Sequence, residues 1–463
     1  MHRAGFLVLI FFGLLAFINA IRHPFVHDDI IFILNNPHIT ELRVWPQAFL
    51  VPAVPDGLNT YYRPVLEIIY RLEYHFFGPH PYGYHLINVI VHIINGLLLF
   101  ALLLKLGLRS AVAWGIACIF LVHPVQTEAV SCIAGISNLW MALGILLALH
   151  AYFNKWYIVS LLIFMIAFFS KEQSILFVPL VMVIDLSRGV KNYRWWFFLS
   201  LYALVLLWLR QVVTHASLLK DIMASPGEFY LRLAAIPRDI GMDLRLIFWP
   251  NDLHYYRSTD ILQSNSIAWA LALISLGGIF YAYQKWPKAQ GTLILGLGWF
   301  LAALLPVLNI VPLINEYSFI LTPEHFLYLP IVGILIIVVV LADSFLKSFK
   351  KLALGVLISV CLLMTWHQNT FWQSETVLFE RMLRYEPNFG RGHLLLAKTY
   401  YLNGQPDLAE GHFEKAYTIM SGYAKKAKNP VAENYYLKYV KEISSDLAQN
   451  HRALGLRTQA GRS

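Results

Sequence analysis

The amino-acid sequence predicts an all-α fold: a polytopic helical membrane protein followed by a short helical tail. Three observations carry this. Of 463 residues, 58% are hydrophobic, 15% aromatic and only 14% charged, with mean hydropathy +0.57, whereas soluble domains carry about 25% charged residues. The apolar residues fall in runs approaching the roughly 20 residues that a spanning helix needs. The basic residues gather in the short connections between runs, as the positive-inside rule expects of a cytoplasmic face.

Hydropathy places about eleven spans, near 5–21, 85–104, 111–124, 130–152, 156–170, 174–186, 195–213, 267–284, 291–308, 326–345 and 351–368. The first run has the layout of a signal peptide. Ile18-Asn19-Ala20 is a poor small-x-small cleavage site, so 5–21 is read as a retained span. One set of connections carries Arg3, Lys105, Arg109, Lys155, Arg188, Lys191, Arg194, Lys285, Lys288, Lys347, Lys350 and Lys351 against the acids Asp185 and Asp343. That set is assigned to the cytoplasm. Loops 22–84, 125–129, 171–173, 214–266 and 309–325 then face outward, and an odd span count sends the C-terminal segment out too. The net charge of +9 is explained by the loops and implies no nucleic-acid partner. Cys118, Cys132 and Cys361 lie in or beside apolar runs and read as packing residues.

The chain divides into a membrane domain, 1–369, with long outer loops 22–84 and 214–266, and a tail, 370–463. Within 229–249, Leu233, Ile236, Ile240, Leu244 and Ile247 recur at helical spacing, while Arg232, Arg238, Asp239, Asp243 and Arg245 fall largely on other faces. This suits a helix lying in the membrane interface or packed on the bundle. The tail contains the layout of one tetratricopeptide repeat (TPR) starting at Gly390. Leu396, Ala397, Tyr400, Ala409, Phe413 and Ala416 hold its signature positions, and Asn403-Gly404 makes the turn between its helices. Phe379 and Pro387 fit half of a preceding repeat, and 431–449 reads as a capping helix.

The residues with chemistry gather on the outward side. Asp28 and Asp29 stand together in "FVHDDIIFILNNPHI" (25–39). A carboxylate at the membrane edge can serve as general base towards a hydroxyl; the plainer reading is a helix cap. Arg63 in "YYRP" (61–64) offers a fork that suits phosphate, or an anchor to lipid headgroups. Lys171 and Glu172 in "SKEQ" (170–173) form an exposed pair or a second phosphate contact, and His123 and Glu128 flank the Pro124 turn. His85, Asn88, His92 and Asn95 form one stripe of the second span, which should face protein or a cavity. A divalent cation is a candidate ligand of Asp28, Asp29 and Glu128. No phosphate-cradling glycine motif for a nucleotide is present.

Taken in order, "FVHDDIIFILNNPHI", "YYRPV", "GYHLINVIVHIINGLLLF", "FLVHPVQTEAVSCIAGISNLW", "SKEQSILFVPLVMVIDL", "PEHFLYLP", "FWQSETVLFERMLRYEPN" and the repeat closely resemble the transmembrane-and-TPR-containing O-mannosyltransferases and their bacterial relatives. These belong to the GT-C class of glycosyltransferases, which use polyprenyl-phosphate sugars. The resemblance covers nearly the whole chain. It implies a GT-C-like membrane domain in which Asp28 or Asp29 orients or deprotonates the acceptor hydroxyl, Asp28 preferred, and Glu128 holds the second acidic position. The layout of the outward face makes Arg63 and Lys171 the expected donor-phosphate contacts, with Arg238 and His325 behind them. Two departures stand out. The family's Arg-Ala-Asp-like triplet is Ile136-Ser137-Asn138 here, and its Glu-Arg before "YLP" is Glu324-His325. Histidine needs its proton to replace arginine.

The expected function is inverting transfer of a sugar, mannose first, from a polyprenyl-phosphate donor to a hydroxyl, a Ser/Thr of an exported protein. The TPR would hold the acceptor or a partner. The short repeat array points to a bacterial inner membrane with the site facing the periplasm, or to the lumenal face of the ER membrane in a eukaryote. Two other classes are weighed: a polyprenyl-lipid transporter or flippase, which requires polar groups near the midplane, and a non-catalytic TPR scaffold.

Overall fold

The computed structural model describes residues 2–50, 62–214, 226–260, 266–286, 290–308, 310, 319–345, 349–427 and 430–460. Parts of the expected outer loops, Tyr61 of "YYRP" among them, lie outside the described residues. The chain is helical and forms two compact units. One comprises Met1–Leu253, Ser264–Val311 and Glu324–Thr370; the other comprises His254–Gln263, Pro312–Pro323 and Phe371–Ser463.

The first unit contains α1 (His2–Phe17), α2 (Pro64–Phe77), α3 (Pro81–Lys105), α4 (Ser110–Val122), α5 (Thr127–Ser131), α6 (Ile136–Phe153), α7 (Tyr157–Ser170), α8 (Phe177–Ser187) and α9 (Tyr193–Thr214). It continues with α10 (Pro226–Phe248), α11 (Ser266–Lys285), α12 (Gln290–Leu304), α13 (Ile331–Phe345) and α14 (Lys350–Asn369). Prolines open α2 and α3, because the first helical N–H has no partner to lose. Pro124 stops α4, since the residue before a proline is pushed into extended backbone; His123 has φ −74° and ψ 131°. The chain then turns by 51° into the segment containing α5. The core lies among α3, α4, α6, α8, α12 and α13, where Leu103, Ile116, Phe120, Ile145, Leu180, Trp299 and Ile336 are buried.

Each expected span coincides with a helix, yet the count of eleven is not reached by length. Among the described residues six helices are long and apolar enough to cross a membrane, or seven if the bent pair Ser110–Val122 and Pro124–Ser131 is one span. Gly5–Phe17, Tyr157–Ser170 and Ile331–Asp343 are apolar but shorter. At 1.5 Å per residue, 14 residues reach about 21 Å of a roughly 30 Å hydrocarbon layer. The helix α10 also differs from a simple amphipathic strip. Arg232, Arg238, Asp239 and Asp243 are buried together with Leu244 and Ile247, while Leu233 is exposed. The charged face turns inward, where charges of opposite sign compensate one another.

In the second unit, α15 (Glu375–Tyr385), α16 (Gly390–Leu402), α17 (Pro406–Lys426) and α18 (Pro430–Ala460) follow in sequence. Ser374 caps α15, its Oγ accepting from Val377 N at 3.3 Å. The turn at Asn403-Gly404 joins α16 to α17, and Leu396, Ala397, Tyr400, Ala409, Phe413 and Ala416 are all buried. The strands β1 (Ser258–Asp260) and β2 (Phe319–Leu321) pair antiparallel, Thr259 opposite Ile320.

Close helix packing in lipid depends on small residues. A Cβ on Gly333 of α13 would fall on the Gly296 carbonyl oxygen and the Phe300 nitrogen of α12, whereas a Cβ on Gly355 would meet open space. Gly333→Ala is therefore expected to destabilise the protein by about 1–3 kcal/mol, seen as a lower melting temperature in detergent. Gly355→Ala serves as the comparison and should leave it unchanged.

Candidate functional site

The site is built on the connections at one end of the helices. The first comes straight after α1. His27 adopts φ +45°, a left-handed conformation that is uncommon outside glycine. The two aspartates that follow have different surroundings. Asp29 is fully buried. Its Oδ1 accepts from Ala134 N at 2.7 Å and from Cys132 Sγ at 3.5 Å, and its Oδ2 from Val26 N at 3.1 Å. Burial pushes its pKa up to about 7; the two amide bonds oppose the rise and the Asp28 charge adds to it. Asp28 is 37% exposed and pairs with His27 at 3.5 Å. One carboxylate is thus a structural clamp, and its neighbour meets solvent.

The second connection runs from His123 to Asn138. His123 is held at both ring nitrogens: Nδ1 accepts from Val125 N at 3.2 Å, and Nε2 donates to Ile247 O at 3.1 Å. It acts as a joint between the Pro124 turn and α10. Glu128 grips His325 twice, with Oε1 2.9 Å from Nδ1 and Oε2 2.9 Å from the backbone N. The turn 133–135 that meets Asp29 needs its glycine: a Cβ on Gly135 would collide with the Ala129 carbonyl. Asn88 splints the same turn, donating to Val130 O at 3.2 Å and Cys132 O at 3.0 Å.

The third connection follows α7. The Lys171 side chain is 3% exposed, and Nζ donates to Asn138 Oδ1 at 2.5 Å. Burial and then Arg63 lower its pKa to about 7, while Glu172 and Glu128 pull it upward. Asn138 stands where the resembled family has an acid, so this lysine meets an amide dipole in place of a full charge. Glu172 is locked to Arg63 by two bonds, Nε to Oε2 and Nη2 to Oε1, both 2.9 Å. Burial alone would raise the Glu172 pKa; Arg63, with Arg210 beyond it, holds the carboxyl at about 2.

These connections form one electrostatic unit. Cys132 feels the charges of Asp29, Asp28 and Glu128. Lys171 feels Glu128, Glu172 and Arg63. Buried Tyr70 feels Glu73 first and then Asp29, with Arg63 acting in the opposite direction. Charged neighbours thus run from the aspartate pair through Cys132 and Glu128 to Lys171, Arg63 and Glu172. Among the described residues no group of three or more His, Cys, Asp or Glu is disposed to hold a metal ion; the oxygens of Asp29 and Glu128 accept bonds from the protein.

Other expected residues play supporting parts. His85 Nε2 meets His23 O at 3.1 Å, and His92 bridges Tyr328 Oη at 2.7 Å and Leu121 O at 3.1 Å. Both fasten α3 to its neighbours. Arg238 pairs with Asp239 at 3.2 Å on α10, and Glu324 is buried beside His325. Sequence reasoning passed over Arg210 and Tyr70. Arg210 had a signal: an arginine inside the apolar run 195–213, where a charge marks function by default.

The Asp29 shift has a consequence for stability. From its ordinary 3.8 to about 7, the folded state holds this proton more tightly than the unfolded state. Its stabilising contribution is complete below about pH 4 and is lost as pH rises through about 7. Asp29→Asn should flatten the fall in unfolding midpoint between those limits, measured by thermal unfolding in detergent across pH.

No family model matches the chain, and no solved structure matches it. Curated proteins do. A protein O-mannosyl-transferase of Caenorhabditis elegans is 24% identical over 90% of this chain and 63% of its own length. Human protein O-mannosyl-transferase TMTC3 is 24% identical over 90% of this chain and 53% of its own. Mouse protein O-mannosyl-transferase TMTC1 is 34% identical over 29% of this chain and 15% of its own. The chain spans little more than half the length of the relatives it matches end to end. Along nearly its whole sequence it is similar to proteins named protein O-mannosyl-transferases, the family that its motif order resembles.

Proposed function

We propose that the protein is a membrane glycosyltransferase that moves a sugar, mannose first, from a polyprenyl-phosphate carrier to a protein hydroxyl. One observation carries the reading: Asp28, its side chain 37% exposed, stands at one end of a run of charged neighbours that passes through Cys132 and Glu128 to Lys171 and the Arg63–Glu172 fork. A lipid-linked donor keeps its phosphate at the membrane edge because its polyprenyl tail stays in the hydrocarbon. There the two cations suit the phosphate and Asp28 suits the acceptor.

In this mechanism the acceptor oxygen attacks the anomeric carbon from the face opposite the phosphate. Its proton passes to Asp28, and the carbon–oxygen bond to the phosphate breaks with its electron pair leaving on the phosphate. The configuration inverts. Lys171 stabilises the departing charge, with Arg63, His325 and Arg210 around it, which is electrostatic stabilisation of a leaving group. Glu172 orients the Arg63 fork. Asp29 is a positioning residue: it fixes the Asp28 backbone through Val26 and Ala134.

The finer architecture belongs to the same proposal. All eleven helices would cross, the short ones completed by flanking residues, with the site on the non-cytoplasmic face of a bacterial inner membrane. The buried pattern across α16 and α17 supports a TPR in the tail, and there a protein acceptor or partner would bind.

Purified protein incubated with radiolabelled polyprenyl-phosphate mannose and a Ser/Thr-rich acceptor tests the reading. Asp28→Asn should cut transfer by about 100- to 10,000-fold, the usual worth of a general base, with membrane insertion unchanged. If the variant transfers as well as the parent, Asp28 is not the base. Lys171 binds phosphate as an ammonium, so donor affinity should decline as pH rises above about 7. Lys171→Arg stays charged and should hold its affinity to higher pH; identical pH profiles would remove Lys171 from the phosphate site.

A further inference from the structure

The tail carries a cleft of about 400 Å³ between α15, α16 and α17, lined by Glu380, Arg384, His393, Tyr400, His412 and Lys415 over apolar walls from Leu383 and Leu396. Its one lining carboxylate is engaged, since Tyr400 Oη donates to Glu380 Oε1 at 2.6 Å. Arg384 and Lys415 are exposed on the rim.

At its base two imidazoles meet nitrogen to nitrogen, His393 Nδ1 and His412 Nδ1 being 2.9 Å apart. A contact this close needs a proton between them. His393 Nε2 lies 2.9 Å from Pro387 O. A carbonyl oxygen only accepts, so Nε2 carries the hydrogen, and Nδ1 of a neutral His393 is a bare acceptor. His412 therefore donates from Nδ1, and its own Nε2 keeps a lone pair that can take up a further proton. Burial, with Lys415 nearby, holds both rings below their ordinary 6.5. Glu380 acts in the opposite direction on His412. On α18, Glu442 and Asp446 are engaged by Lys398, and His451 pairs with Glu410. An anion in the cleft would draw the extra proton onto His412.

We propose that this cleft docks an acidic segment of a protein, one carboxylate seated among Arg384, Lys415 and His412 and an apolar neighbour against Leu383 and Leu396. The charge balance selects an anion, and the apolar walls suit a peptide better than a bare phosphate. The inference rests on the reading of the tail as a protein-binding element and names the chemistry of what it binds.

The test uses the full chain in nanodiscs of neutral phosphatidylcholine. The probe is a fluorescein-labelled peptide alternating Asp/Glu with Leu, read by anisotropy, beside its Asn/Gln counterpart. The acidic peptide should bind and the amide peptide should not. Lys415→Glu and Arg384→Glu should each weaken binding about tenfold or more, as loss of a charged hydrogen bond does. Lys415→Arg should retain it, which separates lost charge from lost folding. Binding should tighten as pH falls through and below about 6.5, and His412→Gln should remove that dependence. Equal binding of the amide peptide, or indifference to Lys415→Glu, overturns the proposal. So does displacement of the peptide by inorganic phosphate, or by phosphatidylglycerol vesicles, at matched charge. Mannose transfer is measured on the same samples. Transfer with no peptide binding defeats the cleft alone; peptide binding with no transfer defeats the enzyme reading alone.

Discussion

The rest of the site depends on the clamp that Asp29 makes. A carboxylate with no exposed surface accepts two backbone amides and a thiol. In doing so it ties the segment after α1 to the turn at 133–135. Asn138 donates to Gly135 O of that turn and accepts from Lys171, and Glu128 lies on α5 just before it. Buried charge is costly unless it is paired and hydrogen-bonded, so each member is tolerated only because the next one is in place. The same cost keeps the assembly rigid: moving one carboxylate leaves another group uncompensated.

Two members of this run of charges are displaced towards neutrality from opposite directions. Asp29 is raised to about 7 and Lys171 lowered to about 7. The Asp29 contribution to stability fades as pH climbs to about 7, and the Lys171 contribution is lost as pH falls from its ordinary 10.5 to about 7. Both weaken the fold near neutral pH. Sites poised for proton and phosphate chemistry are where burial is used to shift pKa values. Stability given up at such a site is a familiar cost of function.

The helices supply what loops alone lack. The stripe of His85, Asn88, His92 and Asn95 lies along α3 beneath the site and fastens it to α4, α6 and Tyr328. Polar residues inside a span are expensive, and here they serve as interhelical joints. They hold the turn that carries Glu128 at a fixed depth. The site residues sit on connections, yet those connections are splinted from below.

The sequence alone determined the class of fold, since apolar runs of helical length leave a chain few options in lipid. It also determined the order of the motifs, and it marked Asp28, Asp29, Arg63, Glu128, Lys171 and Glu172 as residues of interest. These properties are local: span hydropathy, a proline after His123, paired acids. What only the tertiary structure decided is which of them meet. Neighbours in sequence part company, Asp28 meeting solvent while Asp29 is sealed inside, because both lie in a helical turn, where successive side chains point about 100° apart. Arg63 and Glu172, far apart in sequence, form one fork. The crossing count is intermediate, because hydropathy marks a run but the backbone decides how much of it is helix. Charge compensation is long-range, and no local pattern encodes which partner a buried charge will find.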